Sequence, residues 1–177
     1  VKRAAALLLV GLLIPVAQGA VAPFLPSGAC PDLGLLLVIG FGVSLRSTAA
    51  GIAVAAWIGF VSDLLSGSLL GQHALLRVLA FGAARLTSLH MNMRGPFTQM
   101  ALGGALTLLS ALGTVALTAF FASGAASFAP AAEIAWHTAV NAAVAPLAVA
   151  AVGRLLGLLG EDDGRRVLRL EPRGWST

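Results

Sequence analysis

Charged side chains are scarce here: Asp, Glu, Lys and Arg make up only 10% of the 177 residues, against 58% hydrophobic. Soluble domains carry about 25% charged residues, so water is the wrong solvent for this chain. Cysteine occurs once, at Cys30, which excludes an internal disulfide and any Cys-based metal cluster. Tyrosine is absent and aromatic residues reach only 6%. Catalytic signatures are missing as well: there is no H-E-x-x-H, no G-x-S-x-G and no phosphate-cradling P-loop. Ser62 directly precedes Asp63, but neighbours on a helix point in different directions and make no dyad. The chain therefore reads as a non-enzyme, with no cofactor implied.

What is present is long apolar sequence, with a mean hydropathy of +0.94. The runs are continuous and lack the period-2 alternation of a membrane barrel, so the expected fold is an all-α integral membrane protein. A spanning helix needs about 20 residues, which leaves room for five or six in one domain. The expected domain covers residues 1–160, with 161–177 as a short basic cytoplasmic tail.

The first apolar run, residues 4–22, follows Lys2 and Arg3 and is broken only by Pro15 and Gln18. It reads as a retained helix because more spans follow, although Ala20-Val21-Ala22 also fits a signal-peptide cleavage site. A Pro/Gly loop leads to a second segment at 33–45, short for a full span, and a third at 48–65. A Gly/Ser turn over 66–72 precedes the fourth, from His73 to about Leu89. The fifth covers 97–121, with Ser110, Thr114 and Thr118 as hydrogen-bonding candidates on one face, and the sixth runs from Ala131 to about Leu159 past Pro146.

The net charge of +4 and pI near 11.1 would suit nucleic acid if the bases formed a face. They instead flank apolar segments. Lys2, Arg3, Arg46, Arg85, Arg94, Arg154 and the tail residues Arg165, Arg166, Arg169 and Arg173 fall at alternate ends of successive segments, and the other loops carry no Lys or Arg. The positive-inside rule then gives six spans with both termini cytoplasmic, with anionic membrane lipid as an optional contact and no role for nucleic acid.

Gly51, Ala55, Gly59 and Asp63 recur every four residues and form one ridge of the third helix. Small residues at that spacing let another helix approach closely, so Asp63 points into the bundle. With this topology Asp32, Asp63, His73, Arg77, Glu133 and His137 all lie near the outer helix ends. Asp63 and Arg77 flank the same turn, and the expected arrangement is an ion pair between them that fixes the hairpin. An outer pocket made of Asp63, His73, Arg77, Glu133 and His137 is the alternative use of these groups. Zinc could in principle use Glu133, His137 and His73, but nothing in the sequence specifies their convergence, and a metal is not expected. Trp57 reads as a packed side chain and Trp136 as an interfacial anchor.

Around this hairpin the sequence resembles the bacterial rod shape-determining MreD family. The resemblance rests on Pro31-Asp32-Leu33, Gly51, Gly59-Phe60, Asp63, Ser66-Gly67-Ser68 and Leu70-Gly71-Gln72-His73-Ala74-Leu75. It is specific over about residues 31–75 and extends to the later spans only in hydropathy. Arg77 is no hallmark of the family. The resemblance implies a scaffold of the elongasome, which builds lateral peptidoglycan, in the bacterial inner membrane. It implies binding to an MreC-like single-span periplasmic protein and, through it, to MreB, RodA and the penicillin-binding partner of RodA. It also implies a fold similar to the substrate-binding subunits of energy-coupling-factor transporters. A vitamin-binding transporter subunit is therefore the rival function, against which stand short outer loops and few aromatic residues to wall a pocket. As a scaffold, the chain would offer the ridge of Gly51, Ala55 and Gly59 to a partner helix, unless the bundle itself consumes it.

Overall fold

The computed structural model describes residues 2–24, 29–67, 69–93, 95–121 and 130–160. Ser68, Arg94, most of the loop from Ser123 and the tail with its four arginines lie outside the described residues. The described residues form six α-helices and no strand: α1 (Lys2–Val21), α2 (Leu33–Ser44), α3 (Thr48–Ser66), α4 (Gln72–His90), α5 (Pro96–Phe121) and α6 (Ala131–Leu158). A single 3-10 turn, Ala22–Phe24, follows α1.

α2 stands at the centre and touches all five other helices. The nine residues from Gly34 to Gly42 are all buried, which is the behaviour of a helix that is apolar all round. Its 12 residues span only about 18 Å, well short of the roughly 30 Å of a bilayer's hydrocarbon. Protein, not lipid, surrounds it. The remaining helices follow one another around α2 in the order α1, α3, α4, α5, α6, each in contact with the next.

The outer helices turn leucines away from the centre: Leu13 on α1, Leu64 on α3, Leu79 on α4, Leu109 on α5 and Leu147 on α6 are all exposed. Four helices are long and apolar enough to cross a membrane: α1 with the turn after it, α3, α5 and α6. α2 is too short for that criterion, and α4 has the right length but carries Arg77 and Arg85. Such an apolar exterior fits a membrane protein.

α3 and α4 pack most closely at the ridge. A Cβ on Gly59 would sit 2.3 Å from the Ala74 Cα, and one on Gly51 would sit 2.1 Å from the Phe81 ring. Phe81 is fully buried there. The ridge is thus spent on the α3–α4 contact within the bundle, and it is not a free face for a partner. Trp57 joins the third helix to the first, donating its indole N–H to the Leu8 carbonyl at 3.0 Å.

Candidate functional site

Most of the buried polar side chains gather toward one end of the bundle, where α1 and α3 finish and α2, α4 and α6 begin. Two helix N-termini create the demand. The first four N–H groups of a helix have no partner within it, and in an apolar surrounding each needs an acceptor.

α4 takes its acceptor from the preceding helix. Its N-cap is Gly71, in the left-handed region at φ +92°, and it supplies no side chain to cap the helix. Asp63 of α3 does so instead. Its Oδ2 accepts the N–H groups of Gly71 at 2.9 Å and Ala74 at 3.2 Å, and its Oδ1 accepts that of His73 at 2.8 Å. The His73 Nδ1 lies 2.9 Å from the same Oδ1. Asp63 is 1% exposed, and this enclosed carboxylate is held by backbone donors, the positive end of α4 and the His73 ring. Gly67, at φ +63°, ends α3 and turns the chain toward this arrangement.

The start of α2 is served by its own N-cap and by three neighbouring helices. Asp32 caps it, accepting the Leu35 N–H at 2.9 Å, and the same Oδ1 accepts Nη2 of Arg77 from α4 at 2.9 Å. The Leu33 N–H donates to Gln18 of α1 at 2.9 Å, and the Asp32 N–H donates to Oδ1 of Asn141 of α6 at 2.8 Å. Asn141 is fully buried; its Nδ2 reaches Thr107 of α5 at 3.2 Å and Nε2 of His137 at 3.3 Å. At its far end α2 is held by α4 again, where Arg85 donates to the carbonyls of Leu45 at 2.9 Å and Arg46 at 3.2 Å.

Beside this network lies a cleft of about 250 Å³. Gln18 and Gly19 of α1, Ser62 and Ser66 of α3, and His73 and Arg77 of α4 form much of its wall, and Asp32 and Gly34 close it at the start of α2. No three His, Cys, Asp or Glu side chains converge among the described residues as a metal site would require.

Residues 4–156 of the chain match the family described as rod shape-determining protein MreD. The chain belongs to the MreD family. Neither the curated proteins nor the solved structures compared with it give a match. MreD proteins are a structural, shape-determining family, and the apolar helices described above fit that membership.

In this MreD chain the expected Asp63–Arg77 pair is not formed. The fixed N–H groups of α4's first turn take Asp63, whereas Arg77, one turn further on, faces α2 and pairs with Asp32. The residues of the alternative outer pocket are distributed differently. His73 and Arg77 line the cleft, Asp63 is sealed beneath the turn, and Glu133 and His137 are not part of its wall. Glu133 sits in the first turn of α6, where a carboxylate suits the helix dipole, and His137 meets Asn141. Pro31 leads into α2, and Ala55 is buried on the ridge.

Gln18, Thr107 and Asn141 carry more of the site than the sequence reading assigned to them. Gln18 and Asn141 could have been singled out as amides inside apolar runs, since such groups in a membrane helix need a partner. Thr107 gives little signal, because threonine satisfies itself on its own helix, here on the Gly103 carbonyl at 2.7 Å.

Proposed function

We propose that this chain is a non-catalytic scaffold of the elongasome, held in the bacterial inner membrane by six spans with both termini in the cytoplasm. It binds an MreC-like single-span periplasmic protein and through it helps to organise MreB, RodA and the penicillin-binding partner of RodA during lateral peptidoglycan synthesis. The observation that carries this reading is the family match over residues 4–156.

The bundle supports the six-span layout. Arg85 near the end of α4 meets the carbonyls after α2, so both helices finish at the same end, where Arg46 also lies. The opposite end holds Asp32, Asp63 and His73. Apart from Arg77, which is paired with Asp32 and turned inward, that division of arginines fits the positive-inside rule. The two helices that fall short as independent spans are sheltered differently: α2 is enclosed, and Arg77 of α4 is turned inward. The non-catalytic reading is supported by the use of the site's Asp and His side chains as caps and pair members.

The test is affinity capture of the full chain in mild detergent, followed by mass spectrometry of the proteins retained. Recovery of a single-span, coiled-coil periplasmic protein with wall-synthesis enzymes is expected. Recovery of an ATPase pair with a bound small molecule would sink the scaffold reading.

A further inference from the structure

Arg77 is only 4% exposed, yet just one of its three guanidinium nitrogens is satisfied. Nη2 donates to Asp32, while Nε and Nη1 are buried with no hydrogen-bond partner in the protein. A guanidinium is a planar fork of five donors matched to the oxygens of carboxylate and phosphate. Burying such a fork and using one prong is costly unless something else accepts from the others. Arg77 also forms part of the cleft wall, together with the hydroxyl-bearing Ser62 and Ser66 and the amide-bearing Gln18.

We propose that this cleft holds the phosphate group of a membrane lipid, with the Arg77 guanidinium as its principal donor. Four observations favour that ligand. The first turn of α2 reaches the cleft at Gly34, and the positive end of a helix attracts an oxyanion. Gly34 is also where the guanidinium lies against the backbone, for a Cβ there would stand 3.1 Å from Nη2. Asp32 already offsets the arginine's single charge, so the pair offers donors without net positive charge, which disfavours a doubly charged monoester more than a singly charged phosphodiester. Finally, at about 250 Å³ the cleft is smaller than the roughly 300–1,000 Å³ of pockets that enclose a whole small molecule, and it suits a headgroup fragment.

The surroundings supply the rest of a lipid. Leu65 and Ala22 also line the cleft, and along α1 toward its middle Leu8 and Leu12, on the same helix face as Pro15 and Gly19, are exposed, an apolar track for an acyl chain. The inference rests on this end of the bundle lying at the outer headgroup level, and it needs no protein partner.

The test uses the full chain purified in detergent, delipidated, and titrated with phosphatidylglycerol, with diacylglycerol as the phosphate-free control and inorganic phosphate as the soluble one. Native mass spectrometry should show a one-to-one phosphatidylglycerol adduct, and neither control should bind comparably. Gly19→Leu fills the cleft from α1, where nothing lies within 4 Å of a new Cβ. It should weaken the adduct about tenfold or more while leaving the unfolding temperature of the lipid-free protein unchanged. Arg77→Lys keeps a charge for Asp32 but loses the fork, and should weaken it similarly. Equal retention of diacylglycerol, or an affinity indifferent to Gly19→Leu, would overturn the proposal. Inorganic phosphate bound with the same sensitivity to Gly19→Leu would overturn the lipid and assign the cleft to a soluble anion. Because no partner is present, failure here leaves the scaffold reading standing, and failure of affinity capture leaves the lipid site standing.

Discussion

Asp32 and Arg77, on α2 and α4, meet at 2.9 Å and tie the central helix to the ring around it. The arginine side chain is 5% exposed and the aspartate 26%, so the pair is sheltered on one side and open to the cleft on the other. Arg77→Leu leaves Asp32 with its helix-capping bond but without its counter-charge. Removing one member of a buried pair costs about 3 kcal/mol, and that is the expected loss of stability. Arg77→Leu combined with Asp32→Asn should recover part of it, because the uncompensated charge is gone. Reversible unfolding of both variants in mixed micelles reads this directly, and equal losses in the single and double variants would contradict the pairing.

Asp63→Leu should lower the amount of folded protein, since it strips the N–H groups of Gly71, His73 and Ala74 of their acceptor at once. His73→Ala removes only the imidazole contact and should cost about 1 kcal/mol. The ratio of folded yields by fluorescence-detected gel filtration separates the two. A normal yield for Asp63→Leu would remove the capping role.

Gly59→Leu and Gly82→Ala form a matched test of close approach. The first drives a side chain into the Ala74 backbone, which cannot swing aside as a flexible side chain would, and should cost about 3 kcal/mol or prevent folding. Gly82 has nothing within 4 Å of a new Cβ, so the alanine should stabilise by about 0.5–1 kcal/mol through helix propensity alone. Thermal unfolding temperatures should move in opposite directions.

Asn141→Leu fits the helix but leaves the Asp32 N–H without its acceptor. A loss of about 1–3 kcal/mol is expected from one buried donor left unmet. Hydrogen exchange should localise the effect to the start of α2, and unchanged protection of Asp32 would disprove the link.

Cys30 is a native reporter of topology, being the single cysteine of the chain and lying just before α2. A membrane-impermeant maleimide should label it from the periplasmic side of spheroplasts. In a Cys30→Ser background, Ser47→Cys should be protected until the membrane is opened. The reverse pattern would invert the proposed orientation.

The hydropathy of the chain was enough to foresee six helices and their approximate limits, because apolar length is a property of sequence alone. The inward direction of Asp63 was also legible from the four-residue spacing of Gly51, Ala55 and Gly59. The partner of Asp63 was not. Asp63 and Arg77 look complementary in one dimension, and only the register of α4 against α2 decides that Asp32 is the nearer carboxylate. The central position of α2 was hidden for a similar reason. Its shortness reads equally as a strained span or an enclosed core helix, and the difference lies in contacts with α6, a helix far along the chain.

The enclosure of α2 sets the order in which this protein can be made. A helix too short to settle in the bilayer alone is synthesised before the helices that hold it: its two-ended grip by Arg77 and Arg85 comes with α4, and Asn141, Val149, Val152 and Leu156, on the buried side of α6, come later still. Until α6 leaves the ribosome, the side of α2 that it covers remains unsheltered. A stop codon or frameshift before α6 therefore does more than shorten the protein: it releases a chain whose central helix is open on one side, a ready substrate for the proteases that clear orphaned membrane segments.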